Sequence, residues 1–417
     1  MSLIIYAIPV FFLLIGIELL IAKMKNLSYY RMNDAIANLS CGIGSQISGI
    51  FTKTFTFIGY LYLYEHSVWK IENNVVTFIL LFIGVDFFYY WFHRLAHEIS
   101  FLWGSHVVHH QSEEYNLTVA LRQAWLQGAF SWVFYLPLAV VGFSPAAFLT
   151  IASLQTLYQF WIHTKLINKM NPAFEYVFNT PSHHRVHHGV NPKYIDRNHG
   201  GTLIIFDRWF GTFQVEEEEV VYGITKQTNS WNPLWVNFEY WIDLFKEAFQ
   251  VKQVKNFFLM MFKMPGWKPE ELGGVAPLKE VTPQTFHKYN TEISGGMTNY
   301  AFTQFVIVLL STTVFLVLQS KPPFSESLVL KTLVASLIVL SLVTIGGIFE
   351  RKSWVPALEY LRIAAISIFV FALLRHSSLI FVAGIVTGIV ALGSALWFTR
   401  YLGEFQNKVQ EHAASNI

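Results

Sequence analysis

Cysteine is nearly absent: Cys41 is the one cysteine in 417 residues. An internal disulfide, a thiolate metal cluster and haem attachment through CxxCH are therefore excluded, and any metal must be held by nitrogen and oxygen ligands. Charge is scarce as well. Asp, Glu, Lys and Arg make up 13% of the chain, about half the roughly 25% of a soluble domain. Hydrophobic residues reach 53% and aromatic residues 17%, which excludes disorder and collagen-like repeats and argues against a purely soluble enzyme. A net charge of +2 leaves no basic footprint, so nucleic acid is set aside as a partner. The ExxH pairs that carboxylate-bridged di-iron bundles place on their helices are also missing.

Long apolar runs are what the chain does have. Residues 3–22 are long enough to cross a bilayer, which takes about 20 apolar residues. They have no basic start and no small-residue cleavage site before Lys23 and Lys25, so they read as an anchored span rather than a signal peptide. Further runs lie at 34–64 and 75–92, over 124–163 with a break at Gly142 to Pro145, and at 299–319, 327–349, 357–374 and 377–399. Together they predict nine crossings. Lys23, Lys25, Arg31, Arg94, Arg122, Arg351, Lys352 and Arg400 place the amino end outside and the carboxyl end in the cytoplasm; Lys70, Lys321 and Arg375 are the fewer exceptions. The expected fold is an all-α, polytopic integral membrane protein. A cytoplasm-facing helical cap, built from 94–123 and the more polar 164–295, carries a histidine-rich di-metal site. The expected division is a membrane and catalytic domain over 1–295, a transmembrane helix bundle over 296–402 and a polar tail over 403–417.

Eleven of the 15 histidines lie between positions 93 and 199. His93 and His97 form HxxxH; His106, His109 and His110 form HxxHH; His184, His187 and His188 form a second HxxHH; His163 stands between. Spacings of three and four put imidazoles on one helical face. One HxxxH pair alone is ordinarily an exposed or capping pair. Three such groups in a membrane protein are another matter, because bunched imidazoles cost desolvation when neutral and repel when charged unless a metal organises them. Eight or nine rings exceed the four to six ligands of one first-row ion, so two metals are the natural count, iron or zinc by ligand type.

HxxxH, HxxHH and HxxHH in this order resemble the membrane fatty acid hydroxylase and sterol desaturase superfamily. Within it, GVDFFYYWFHRLAHE (84–98), EEYNLTVALRQ (113–123), YQFWIHT (158–164), NTPSHHRVHHG (179–189) and DRWFGTF (207–213) are similar to the branch that cleaves ether lipids with tetrahydrobiopterin. The resemblance covers roughly 5–270 and extends loosely over the last four spans. It implies a di-iron centre that uses O2 to hydroxylate the carbon beside an ether oxygen, giving a hemiacetal that falls apart to a fatty aldehyde and a glycerol derivative. It also implies a division of ligands, with His93, His97, His106, His163 and His184 around one iron and His109, His110, His187 and His188 around the other. The pattern departs at Asn198-His199, where a tyrosine is expected after the asparagine; His199 is either an extra ligand or a substituted ring.

Other readings stay open. One is a pterin-independent sterol or fatty acyl hydroxylase or desaturase fed by an electron-donor protein. Another is a non-catalytic metal-binding protein or metal transporter. A transporter places ligands near the bilayer midplane, whereas here they lie mostly beyond the span ends. The membrane expected is the endoplasmic reticulum for a eukaryotic source or the inner membrane for a bacterial one.

Three polar residues are candidate catalytic groups: Asp86, Glu98 and Asn198. Asp86 is an acid inside a span, costly there unless used. It shares a helical face with His93 and His97 but lies about 10 Å and 16 Å from them along the axis. Its expected partner is therefore an imidazole of another group, His163 or His184, with structural pairing as the alternative. Glu113, Glu114, Tyr115, Asn116 and Arg122 are expected either to orient ligands or substrate or to face water. Glu216 to Glu219 reads as a solvated loop, His183 as a support beside the ligands, and His66, His287, His376 and His412 as surface or interfacial residues.

Overall fold

The computed structural model describes residues 3–378 and 380–405, which are helix and loop apart from two isolated β-bridges, Phe178 with Leu203 and Gly189 with Tyr222. His412 and most of the expected tail lie outside the described residues. The helices are α1 (Leu3–Met24), α2 (Met32–Glu65), α3 (Val75–Glu98), α4 (Ser100–Trp103), α5 (Val107–His110), α6 (Gln127–Val141), α7 (Pro145–Trp161) and α8 (Pro172–Val177). There follow α9 (Pro181–His187), α10 (Ile205–Phe210), α11 (Pro233–Ala248), α12 (Val254–Phe262), α13 (Gly295–Leu318), α14 (Leu328–Phe349), α15 (Val355–Leu374) and α16 (Ile380–Thr399). They fall into two compact units, Met1–Thr228 with Val236–Tyr289, and Asn229–Trp235 with Asn290–Ile417.

Among the described residues, six helices are long and apolar enough to cross a membrane, namely Tyr6–Met24 of α1 together with α3, α13, α14, α15 and α16. The nine crossings expected from the apolar runs thus reduce to six helices of spanning length. α2 is one unbroken helix of 34 residues, and its first turns bury Asn33, Asp34, Asn38 and Ser40. α6 and α7 have 15 and 17 residues, short of the about 20 that a crossing takes, and form a hairpin.

In the first unit the local signals are explicit. α3 begins with a reciprocal cap, in which Asn74 accepts from Thr77 N (3.0 Å) and Thr77 Oγ1 accepts from Asn74 N (2.9 Å). The α6–α7 turn uses Gly142 at φ +105°, and a Cβ there would collide with the Trp69 carbonyl. Ser144 and Pro145 then start α7. Tyr60, Leu81, Val85, Leu138, Phe143 and Ile151 pack α2, α3, α6 and α7 together. This packing seats α3, whose last two turns carry His93 and His97.

The second unit is a bundle of α13–α16 with few buried charges. Arg362 donates to Glu359 from Nε and Nη2 and to Gln304 Oε1 (2.8 Å), while Tyr300 donates to the same carboxylate. Large apolar side chains on the outer faces of α15 and α16, such as Phe371 and Ile385, are exposed, as a bilayer-covered surface requires.

Candidate metal centre

Four short stretches bring nine imidazoles together. α3 supplies His93 and His97 from its last two turns, and α5 with the preceding residue supplies His106, His109 and His110. His163 follows α7. His184 and His187 lie on α9, started by Pro181, with His188 at its end. All nine are at most 5% exposed.

The rings separate into two sets. In the first, His93, His97, His106, His110 and His187 each offer a ligand atom within 4.8 Å of the others; in the second, His109, His163, His184 and His188 do the same. The membership differs from the division implied by the resemblance. His110 and His187 lie with the α3 pair, and His163 and His184 lie with His109 and His188. Each HxxHH therefore feeds both sets, because consecutive residues of a helix point about 100° apart while residues four apart align.

The hydrogen bonds fix which ring nitrogen faces inward. Nδ1 donates to a carbonyl in His93 (to His199 O, 2.7 Å), His109 (to Arg122 O, 2.9 Å), His163 (to Gln159 O, 2.7 Å) and His187 (to Arg197 O, 2.9 Å). His106 Nδ1 faces Gln127 Oε1 at 3.2 Å and His97 Nδ1 faces Asp196 Oδ1 at 3.3 Å. A ring that donates from Nδ1 keeps a lone pair on Nε2. Those Nε2 atoms crowd together, His93 to His106 at 2.9 Å and His163 to His109 at 3.2 Å, and His184 Nε2 stands 3.0 Å from His163 Nε2. Nε2 of His97, His187 and His188 has no partner. Converging lone pairs without protons repel, and a cation turns the same arrangement into ligation. The residues fit two metal ions on this ground.

Electrostatics keeps the donors ready. Burial, then neighbouring imidazoles, holds His106, His110 and His188 well below the ordinary histidine value. Burial takes His109 down to about 4 and His187 down to about 3. The rings are neutral at physiological pH, the form a metal needs.

The polar candidates sit behind the rings. Asp86 touches no histidine. Its carboxylate accepts from Gln155 Nε2 (2.5 Å), Thr202 N (2.8 Å) and Leu203 N (2.7 Å), so the expected contact with His163 or His184 is replaced by a grip on loop 199–203. The loop comes so close that a Cβ at Gly201 would stand 2.8 Å from Asp86 Oδ1. Asp207 holds the other end, accepting from His199 N and Gly200 N at 2.7 Å each and from Thr212 Oγ1 at 2.7 Å. Burial pushes its carboxyl up to about 6 against those hydrogen bonds. The loop thus presents the His199 carbonyl to His93. Asp207 was visible in sequence only as one letter of DRWFGTF, with nothing to mark it as buried.

Asn198, at φ +57°, donates to His183 O (3.0 Å) and Gln214 O (2.8 Å) and accepts from Gln214 N (2.8 Å). Glu98 pairs with Arg94 at 2.8 Å and reaches no imidazole of the sets. His183 stands outside both sets against Phe213. The His199 ring lies 5.0 Å from that of His97, centroid to centroid, with neither nitrogen partnered.

Glu113, Glu114, Tyr115, Asn116 and Arg122 are all buried, none of them facing water. Arg122 donates to Val108 O (2.6 Å), Asn38 Oδ1 and Gln111 Oε1, and its own carbonyl holds His109. Glu114 pairs with Arg31 (2.6 Å) and Lys288 (2.8 Å). In the expected solvated loop Glu217 to Glu219 are exposed, while Glu216 clamps Arg185 through two bonds of 2.7 Å. His66, His287 and His376 are exposed.

A model of the fatty acid hydroxylase family matches residues 78–212, the stretch that holds all nine rings. Alkylglycerol monooxygenase of Xenopus tropicalis is 37% identical over 361 residues, covering 84% of this chain and 78% of the relative. Human alkylglycerol monooxygenase is 37% identical over 367 residues, covering 85% and 80%. Ornithine lipid hydroxylase OlsE of Rhizobium tropici is 28% identical over 146 residues, covering 35% and 43%. No solved structure matches the chain.

Proposed function

The chain belongs to the alkylglycerol monooxygenase family, and from that premise we propose that it is a membrane di-iron monooxygenase acting on alkylglycerol lipids. It hydroxylates the ether-linked carbon, and the hemiacetal so formed breaks down to a fatty aldehyde and a glycerol derivative. The observation that carries this reading is the convergence of ring nitrogens on two centres, with His93, His109, His163 and His187 fixed from behind by backbone carbonyls. His93, His97, His106, His110 and His187 would hold one ion, and His109, His163, His184 and His188 the other. Bound iron supplies the redox chemistry by which O2 is reduced and a C–H bond oxidised.

The chain's own residues supply the rest. Backbone carbonyls of His199, Arg122, Gln159 and Arg197 hold the Nδ1 protons and so keep each Nε2 aimed inward. Asp86, Asp207 and Asn198 are positioning residues that fix loop 196–203, and burial of all nine rings excludes bulk water. Glu98, at the end of α3, keeps Arg94 in place. The ligands lie at and beyond the end of α3 rather than at mid-membrane, which favours an enzyme over a transporter. The basic residues around α1 and α3 favour a cytoplasmic site, in the endoplasmic reticulum of a eukaryote or the inner membrane of a bacterium.

Tetrahydrobiopterin is the reductant in this reading, as the sequence resemblance implies. Among the described residues no group of side chains singles out a pterin site, and the roles above are assigned without it. The test uses untagged protein reconstituted with iron and given 1-O-hexadecylglycerol, O2 and either tetrahydrobiopterin or a ferredoxin system. About two metals per chain and hexadecanal formation with the pterin are expected. One metal per chain after reconstitution, or no aldehyde with either reductant, overturns the reading.

A further inference from the structure

A cavity of about 290 Å³ borders His97, His110 and His187 of the five-histidine set. Much of its wall is apolar, including Trp103, Ile224, Leu244 and Met260. α11, which also contributes Leu244, brings Glu239, Asp243 and Glu247 to the same cavity at intervals of four on one face. Asp243 is paired with Lys226 at 2.6 Å and Glu247 with Lys268 at 2.8 Å. Glu239 is different. Thr228 supplies one hydrogen bond to its carboxylate, but Oε2 is buried without a partner. A buried acceptor left unpaired beside a cavity costs free energy that a ligand hydroxyl restores.

The outer wall indicates where that ligand comes from. α12 turns Met260 toward the cavity, while Phe258 and Phe262 are 54% and 65% exposed on the far side. Just past its end, the Lys263 carbonyl accepts from Ser100 N at 2.9 Å, two residues beyond the end of the α3 span. α12 therefore lies where α3 leaves the apolar phase. Exposed phenylalanines flanked by Lys252, Lys255 and Lys263 at that level suit a bilayer surface.

We propose that this cavity is the headgroup pocket of the lipid, reached from the membrane surface past α12, with Glu239 Oε2 accepting a hydrogen bond from a glycerol hydroxyl. The proposal rests on the alkylglycerol reading above. It places the hydroxyls on α11, the alkyl chain toward α12 and the ether carbon at the histidine wall between them.

The test is equilibrium binding to iron-loaded protein in nanodiscs, without reductant, of 1-O-hexadecylglycerol and of hexadecyl methyl ether, which lacks the diol. Glu239→Leu is expected to weaken the diol lipid roughly tenfold or more, the scale of one hydrogen bond to a charged group, and to leave the methyl ether unchanged. Glu239→Gln, which keeps an acceptor oxygen, restores part of the affinity. In turnover the Leu variant raises KM and keeps kcat. Wild-type affinity for both lipids in Glu239→Leu overturns the proposal, and so does equal loss of both, which assigns Glu239 to the shape of the wall. Loss of reduced-pterin affinity with the lipid unaffected overturns it as well. A wild type that binds the diol through Glu239 yet releases no aldehyde sinks the proposed function and leaves the pocket. Aldehyde release with an unchanged KM in Glu239→Leu does the reverse.

Discussion

Buried polarity takes two forms in this molecule. In the second unit, Arg362 on α15 meets Glu359 and Gln304, and Tyr300 meets the same carboxylate, so each charge faces another group of the chain. In the first unit nine imidazoles are just as buried; six of them meet an oxygen from their outer nitrogen, and the inner nitrogens either point at each other or find nothing. A network that pairs with itself needs no ligand and holds helices in register. One that is satisfied on the outside and left open on the inside is built around something the chain does not supply. The difference locates function in the first unit without appeal to any relative.

The comparison breaks most sharply at the rings. His187→Ala and His188→Ala should each abolish turnover and take metal content from about two per chain to about one, since the two residues serve different sets. Metal analysis after iron reconstitution checks it. Equal loss of both metals in either variant would merge the two sets into one site. His183→Ala, outside both sets, should keep two metals and most of the activity.

Next in size is the support behind the rings. Asp207→Asn removes the charge that accepts from His199 N, Gly200 N and Thr212 Oγ1 and loosens the carbonyl that fixes His93. Loss of such supporting contacts typically costs 10–100-fold in metal affinity or activity. Added iron should restore part of the rate, with KM for lipid unchanged, and Asp86→Asn should follow the same course from the other end of the loop. A raised KM with full metal and full kcat would make either residue a substrate contact instead.

These supports mark where the sequence stops being informative. The nine rings are legible because three- and four-residue spacings are a periodic signal that survives without a structure. Their division is not, because which ring of HVVHH meets which ring of HRVHH depends on how α5 and α9 cross. Asp86 announces itself as an acid in an apolar run. Apart from Gln155, its partners are backbone amides of a loop over a hundred residues away, and amides carry no sequence signature. Glu114 sits in a polar stretch where an acid is unremarkable, and Asp207 beside Arg208 reads as an ordinary charged pair; only folding shows that both are buried. The apolar runs give the right helices, but run length alone does not separate a span from the 15- and 17-residue hairpin of α6 and α7.

A smaller effect comes from pH on the metal-free protein. Burial holds His109 down to about 4 and His187 down to about 3, against about 6.5 in an unfolded chain. Between those values the unfolded chain carries the extra protons, so stability is full above about pH 6.5 and is lost progressively as pH falls toward the folded-state values. The thermal midpoint of chelator-stripped protein in detergent should drop between pH 7.5 and pH 5. Metal-loaded protein should release its ions over the same descent, because protons then compete for the ligand nitrogens. A midpoint indifferent to pH over this range would mean that the inner nitrogens are not held neutral by burial.

The smallest effect on turnover is expected in the self-paired network, where the comparison is sharpened by changing both partners. Arg362→Met alone leaves the Glu359 carboxylate buried without its cation, which costs about 3–5 kcal/mol of stability. Glu359→Gln alone strands Arg362 to a similar extent. Arg362→Met with Glu359→Gln removes both charges, and replacing a buried pair by neutral groups of similar volume is often close to neutral. Folded fraction in detergent should therefore fall in each single variant and recover in the double one. Metal content and turnover per folded molecule should stay near wild type in all three, because the network shares no residue with the histidine sets. The histidine sets allow no such rescue: His163→Ala with His184→Ala removes two facing rings together and should still lose the second metal. Recovery of turnover in that double variant would mean that the inner nitrogens serve each other rather than an ion, and the contrast between the two units would disappear.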